Sequence, residues 1–206
     1  MSDQFHQLSD KWTISEKYTA QNKDDDYKKT IVEICSIRSV EEFAFIMKQT
    51  IYQNLTDLFS EPQKQKQFKN FKNNAIETQI EAIQFFKNDI NPCWEDPENE
   101  KGGDIQFEVP LSSFDIYNQL YIDIIFEIIG QQQEELRHVN GVRVLDKINA
   151  VKGNGIRIEL WLDIDPIDTN EQVQSSIKKI DDWILKLAEQ YDIRQLKLKT
   201  QSHKKK

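Results

Sequence analysis

The run Ile156-Arg157-Ile158-Glu159-Leu160 alternates apolar and charged side chains and ends in Trp161-Leu162. Before it stand Val142-Arg143-Val144, the stretch Ile148 to Val151, and the turn Lys152-Gly153-Asn154-Gly155. A two-residue period on both sides of a glycine-containing turn predicts a β-hairpin, and a hairpin commits its strands to antiparallel pairing. Thr30 to Ile37 and Asp104 to Val109 alternate in the same way, and Ile193 to Lys199 reads as a short final strand. Strands mixed with helices around a hairpin predict an α+β fold, with an antiparallel sheet and helices on one face.

The helices carry their own start signals. Ser39-Val40-Glu41-Glu42 has capping-box spacing, in which the serine hydroxyl and the carboxylate three residues on satisfy each other's backbone amides. Phe43, Ile46, Met47 and Ile51 follow at helical spacing, predicting a helix from about 40 to 59. Ser112-Ser113-Phe114-Asp115 opens a second helix ending at Gly130, and Thr169-Asn170-Glu171 opens a third that runs to about Tyr191. Between the first two lies a segment rich in Lys, Gln and Asn. Its spacing of Ile76, Ile80, Ile83 and Phe86 predicts an insertion, about 57–85, made of a loop and a polar helix. Residues 1–11 read as a flexible arm, 12–203 as a single domain, and Lys204-Lys205-Lys206 as a basic tail.

Composition narrows the function. Thirty-eight per cent hydrophobic residues with four Trp and eleven Phe supply a real core, excluding a wholly disordered chain. Cys35 and Cys93 make no disulfide framework. The three histidines are scattered, so neither a metal nor any other cofactor is expected. No stretch approaches the roughly 18 apolar residues of a membrane span, and the N-terminus has no apolar signal region, so a cytoplasmic protein, or one also nuclear, is expected. Asp24-Asp25-Asp26 reads as a solvated acidic loop. With 27 basic and 35 acidic residues the net charge is −8, so any nucleic acid must be held in a local, shaped pocket rather than on a broad basic surface.

One segment suits such a pocket. Trp94-Glu95-Asp96 lies between Pro92 and Pro97 and is followed by Gly102-Gly103. A Trp beside a Glu on non-helical backbone can stack on a planar ring and accept from its N–H groups; it can equally seal the core and leave the Glu solvated. The blocks His6-Gln7-Leu8, Trp12, Val40-Glu41-Glu42-Phe43, Trp94-Glu95-Asp96 with Gly102-Gly103, Ile128-Ile129-Gly130, Asn140-Gly141-Val142, Leu160-Trp161 and Gln201-Ser202-His203, taken in order, resemble the eukaryotic translation initiation factor 4E family. The resemblance spans nearly the whole chain.

That resemblance implies a curved antiparallel sheet with about three long helices packed on its convex face. It implies binding of the 7-methylguanosine cap of mRNA in the concave mouth, with no catalysis. N7 methylation makes the guanine cationic, so the base stacks between aromatic faces with cation–π attraction. By position, Trp94 matches one stacking ring and Glu95 the carboxylate that reads the base. Tyr27 matches the second ring, and Trp161 the Trp near the methyl group. For the phosphates, counting back from Trp161 selects Lys152 and Arg157, while counting forward from Gly141 selects Lys147. Asp104 stands where many relatives carry Arg, and a carboxylate facing the phosphates would weaken binding.

The resemblance also implies a scaffold or inhibitor partner, whose helical Tyr-x4-Leu-hydrophobic motif packs across the first two helices. His6, Leu8, Val40, Ile122, Asp123 and Phe126 match its contacts, but the hallmark Trp of that surface is Ala44 here. These departures leave open a second reading: an interaction subunit that keeps the fold and has largely lost cap binding.

Overall fold

The computed structural model describes residues 5–20, 27–59, 65–69, 75–131, 133–148 and 155–204. The strands are β1 (Gln7–Tyr18), β2 (Ile31–Ser39), β3 (Gln65–Lys69), β4 (Ala75–Lys87), β5 (Gly103–Pro110), β6 (Val139–Asp146), β7 (Gly155–Leu162) and β8 (Lys199–Ser202). They form one sheet in the order β2-β1-β4-β6-β7-β5-β8, with β3 paired to β4 off this path and every pairing antiparallel. The helices are α1 (Val40–Gln49), α2 (Leu55–Leu58), α3 (Phe114–Gly130) and α4 (Glu171–Gln190). The α+β class and the curved antiparallel sheet backed by three longer helices are as expected.

Strand alternation divides the sheet into two faces. Ile83 and Phe85 of β4, Val142 and Val144 of β6, Ile156, Ile158 and Leu160 of β7, and Ile105 and Phe107 of β5 belong to one buried core. That core is closed by Phe43 and Met47 of α1, Leu120, Ile124 and Ile128 of α3, and Ile180 and Ile184 of α4. Each fully buried side chain of this size stabilises the fold by about 1.5–3 kcal/mol. The alternate positions, Arg143, Arg157, Glu159, Trp161, Asp104 and Phe86, face the concave side.

Several boundaries differ from the sequence expectation. The polar helix through Ile76, Ile80, Ile83 and Phe86 is instead β4, a central strand pairing with both β1 and β6. Residues 80, 82, 83, 84, 85 and 86 are all buried, so both faces are covered. A strand covered on both faces loses its alternation, and its apolar run then mimics helical spacing. The expected helix 40–59 breaks at Thr50, which is extended (φ −122°, ψ 168°) and turns its hydroxyl to the Tyr52 amide to cap a new turn. The N-terminal arm is shorter than expected, because Gln7 to Lys11 belong to β1. The last strand lies at Lys199–Ser202 rather than 193–199; Ile193 is buried in the connecting loop and Leu196 and Leu198 are packed against the core. Lys204 of the tail pairs with Asp165 at 3.1 Å. The capping box forms as spaced, with Glu42 N–H donating to the Ser39 hydroxyl and Ser39 N–H to the Glu42 carboxylate, both at 3.2 Å.

Candidate functional site

The loop after β4 turns through Asn88 and Asp89, both left-handed (φ 53° and 61°), and is then locked from within. The Asp96 carboxylate accepts from the amide of Asn91 at 2.9 Å, its side-chain amide at 3.0 Å, and Glu98 N–H at 3.1 Å. Asn99, fully buried, donates to the carbonyls of Asn91 and Cys93, and Asn140 of β6 ties Asn99 and the Glu98 carbonyl to the sheet. Gly102 ends the loop against β7: a Cβ there would lie 1.8 Å from the Leu162 carbonyl oxygen, so only glycine allows the approach. Asp96 and Asn99 are therefore structural, while Trp94 (48% exposed) and Glu95 are held outward.

Beneath them lies a slot of about 330 Å³ lined by Cys93, Trp94, Glu95, Arg143 and Trp161. Trp161 has its edges and faces occupied. Its indole N–H donates to Glu159 at 3.1 Å, His203 lies 4.4 Å away centroid to centroid, Phe86 meets it edge-on at 5.6 Å, and the Arg143 guanidinium sits over the ring at 4.9 Å. Only 1% of Trp161 is exposed. Trp94 stacks beyond His203 at 6.1 Å with an interplanar angle of 25°.

The structure brings Trp94, Glu95 and Trp161 to one slot. Tyr27 opens a short 3-10 turn (Tyr27–Thr30), but its side chain lies outside the described ones. Lys152, the turn around it and the acidic run 24–26 also lie outside the described residues. Arg157 does not face the slot openly: its guanidinium reaches Glu108 at 3.4 Å and Glu159 at 3.9 Å. Lys147 is half-buried and closes the β6–β7 ribbon through its N–H to the Gly155 carbonyl at 2.9 Å. With Lys17, Gln79 and Arg143 it lines a neighbouring cavity of about 400 Å³.

Asp104 corrects an expectation. Its carboxylate is 3% exposed, accepts from Gln106 at 3.0 Å and faces His203 Nε2 at 3.2 Å, so on the concave face it is enclosed by protein partners rather than open to a ligand. Arg143 was not singled out by motif, although the alternation Val142-Arg143-Val144 already placed it opposite the core. Among the described residues no cluster of three or more His, Cys, Asp or Glu could hold a metal ion.

On the convex side, Phe126 of α3 lies edge-on to Phe43 of α1 at 4.8 Å, so the two helices meet where Val40, Ala44 and Phe126 are exposed and Ile122 is half-buried. Asp123 accepts from the Tyr191 hydroxyl, which pushes that phenol up to about 12. His6 and the start of β1 dock here too. His6 N–H donates to the Glu41 carboxylate at 3.0 Å and its carbonyl accepts from Val40 N–H at 2.9 Å, while Leu8 packs against the core. The His6 side chain bonds the same carboxyl and holds it below its usual range.

Comparison with known proteins agrees with this architecture. The initiation factor 4E of Candida glabrata is 31% identical over 157 residues, which cover 76% of this chain and 62% of that protein. The chain thus spans about three-fifths of the length of the curated relatives it matches most clearly. Among solved structures, Ascaris suum eIF4E-3 with m7G cap superposes with a TM-score of 0.62 at 17% identity, over 97% of this chain and 93% of that one. Schistosome eIF4E complexed with m7GpppG and 4E-BP superposes with a TM-score of 0.64 at 18% identity, over 95% and 88%. At these identities the structures share a fold, and the family model for eukaryotic initiation factor 4E matches residues 7–206. The chain belongs to the eukaryotic initiation factor 4E family.

Proposed function

We propose that the slot binds the 7-methylguanosine cap of mRNA and that the protein acts in translation initiation or its regulation, in the cytoplasm. The observation that carries this reading is the pair Trp94 and Glu95, held outward at the mouth of a slot by a loop whose Asp96 and Asn99 side chains are bonded inward. Trp94 supplies a π-face for the base, with Tyr27 as the second ring, and Glu95 accepts from the guanine N1–H and N2–H. Lys152 and Arg157 neutralise the phosphates, with Lys147 as the second choice, Arg157 sharing its guanidinium with Glu108 and Glu159. On the opposite face, Val40, Ala44, Ile122 and Phe126 take the helix of a scaffold or inhibitor protein.

The test is retention on 7-methyl-GTP resin. Trp94→Ala, at a half-exposed position, abolishes retention while circular dichroism stays unchanged; undiminished retention refutes the assignment.

A further inference from the structure

Trp161, the ring that would meet the N7-methyl group, is covered. Arg143 sits over its ring, lines the slot beside it, and is itself nine-tenths buried, with 9% of its surface exposed. Its guanidinium is paired with Glu159 at 3.3 Å, and Arg157 reaches the same carboxylate at 3.9 Å. Two guanidinium groups thus converge on Glu159 next to the slot. The ion pair runs through Arg143 Nη1, and its buried Nε–H has no hydrogen-bond partner. A guanidinium has five N–H donors in a planar fork, so Arg143 retains donors for a ligand.

A fixed cation changes what the floor recognises. With Glu95 on the N1–H and N2–H edge of a guanine stacked on Trp94, the imidazole edge is left for the Arg143 side. An unmethylated guanine presents two acceptors there, O6 and N7, the pair that an arginine fork reads best. A 7-methylguanine presents a blocked N7 that accepts nothing from such a fork, so it gains no bidentate contact there.

We infer that Arg143 makes this slot a guanine-nucleotide site that does not require N7 methylation, admitting unmethylated guanosine 5′-triphosphate ends. The inference rests on the slot being the nucleotide site proposed above. Arg143 is here a specificity-determining residue, acting on the imidazole edge while Glu95 acts on the amide edge.

The test is a tryptophan-fluorescence titration of the full chain with 7-methyl-GTP, GTP and ATP. The wild type binds GTP within about tenfold of 7-methyl-GTP, and ATP more weakly than either. Arg143→Val combined with Glu159→Gln removes both charges and keeps an acceptor for the Trp161 N–H; it shifts the ratio at least about tenfold toward the methylated nucleotide. Arg143→Lys keeps the buried charge but loses the fork, so GTP binding weakens and 7-methyl-GTP binding does not improve. This second variant decides the matter if the double variant does not fold. A wild-type preference for 7-methyl-GTP above about a hundredfold, or a ratio unmoved by either variant, overturns the inference while leaving the slot intact. Failure of both guanine nucleotides to bind overturns the slot itself, and the inference with it.

Discussion

His203 presents its Nε2 to the Asp104 carboxylate at 3.2 Å, and solvent reaches neither side chain appreciably. The same imidazole donates from Nδ1 to the Asn99 carbonyl at 3.0 Å and packs between Trp94 and Trp161. A single residue near the C-terminal end of the chain therefore joins the slot loop, β5 and the slot floor.

Asp104→Ala removes the acceptor of the Gln106 amide and the polar group facing His203 Nε2, leaving buried polar atoms unpaired. The expected cost is about 1–3 kcal/mol, or a fall in Tm of at least about 2–4 °C for a chain of this length. Because the carboxylate is enclosed by His203 and Gln106, the affinity for guanine nucleotides changes less than it would for a group touching phosphate. Thermal melting with and without nucleotide checks both; a stability-neutral variant that binds much more tightly would place the carboxylate in the mouth after all.

Asp181 of α4 is pushed up to about 6, first by burial and then by the neighbouring charge of Asp182, and one of its oxygens has no hydrogen-bond partner. A raised folded-state value means that the folded protein holds the proton more tightly than the unfolded chain does. The carboxylate is thus a full penalty above about pH 6, and that penalty fades as pH falls toward the ordinary value of 3.8. Asp181→Asn should raise stability at pH 7.5 by about 1 kcal/mol once solvent screening is discounted, with the gain vanishing near pH 4. Urea unfolding of both proteins across that range reads it out. A gain independent of pH would trace to something other than ionisation.

Ala44 is exposed on α1, on the surface where Phe43 meets Phe126. Ala44→Trp should restore a large apolar anchor there and tighten binding of a Tyr-x4-Leu helical peptide about tenfold or more, with little change in stability. Calorimetric titration measures it. Equal affinity in both proteins would mean that the partner helix lies elsewhere.

Much of the fold is legible in the residues. Ile156 to Leu162 alternates because one side of β7 is core and the other holds charged groups, and Ser39 with Glu42 builds its cap from local bonds alone. β4 was not legible, because Ile83 and Phe85 face the helices while Ala82 and Phe86 face the concave side, and burial on both sides erases the two-residue period. At the site, Trp94-Glu95 stood out because prolines bracket it. Asp104 misled, since residue type gives a charge but not the His203 and Gln106 that enclose it. Arg143 was in view as the middle of an alternating triplet, yet its value depends on Glu159 and Trp161, which join it only when β6 and β7 pair.

β4 also has a mechanical consequence. Its outer half, Ala75 to Gln79, pairs with β3, while its inner half carries Phe86 against Trp161 and Gly141. At about 3.3 Å per residue the strand is a rod roughly 36 Å long between Ala75 and Phe86. Along its inner half the ladders to β1 and β6 load its hydrogen bonds in shear, with no slack loop to absorb a displacement. Tension applied to the β3–β4 ribbon at the rim is therefore borne along the strand axis to the floor of the slot.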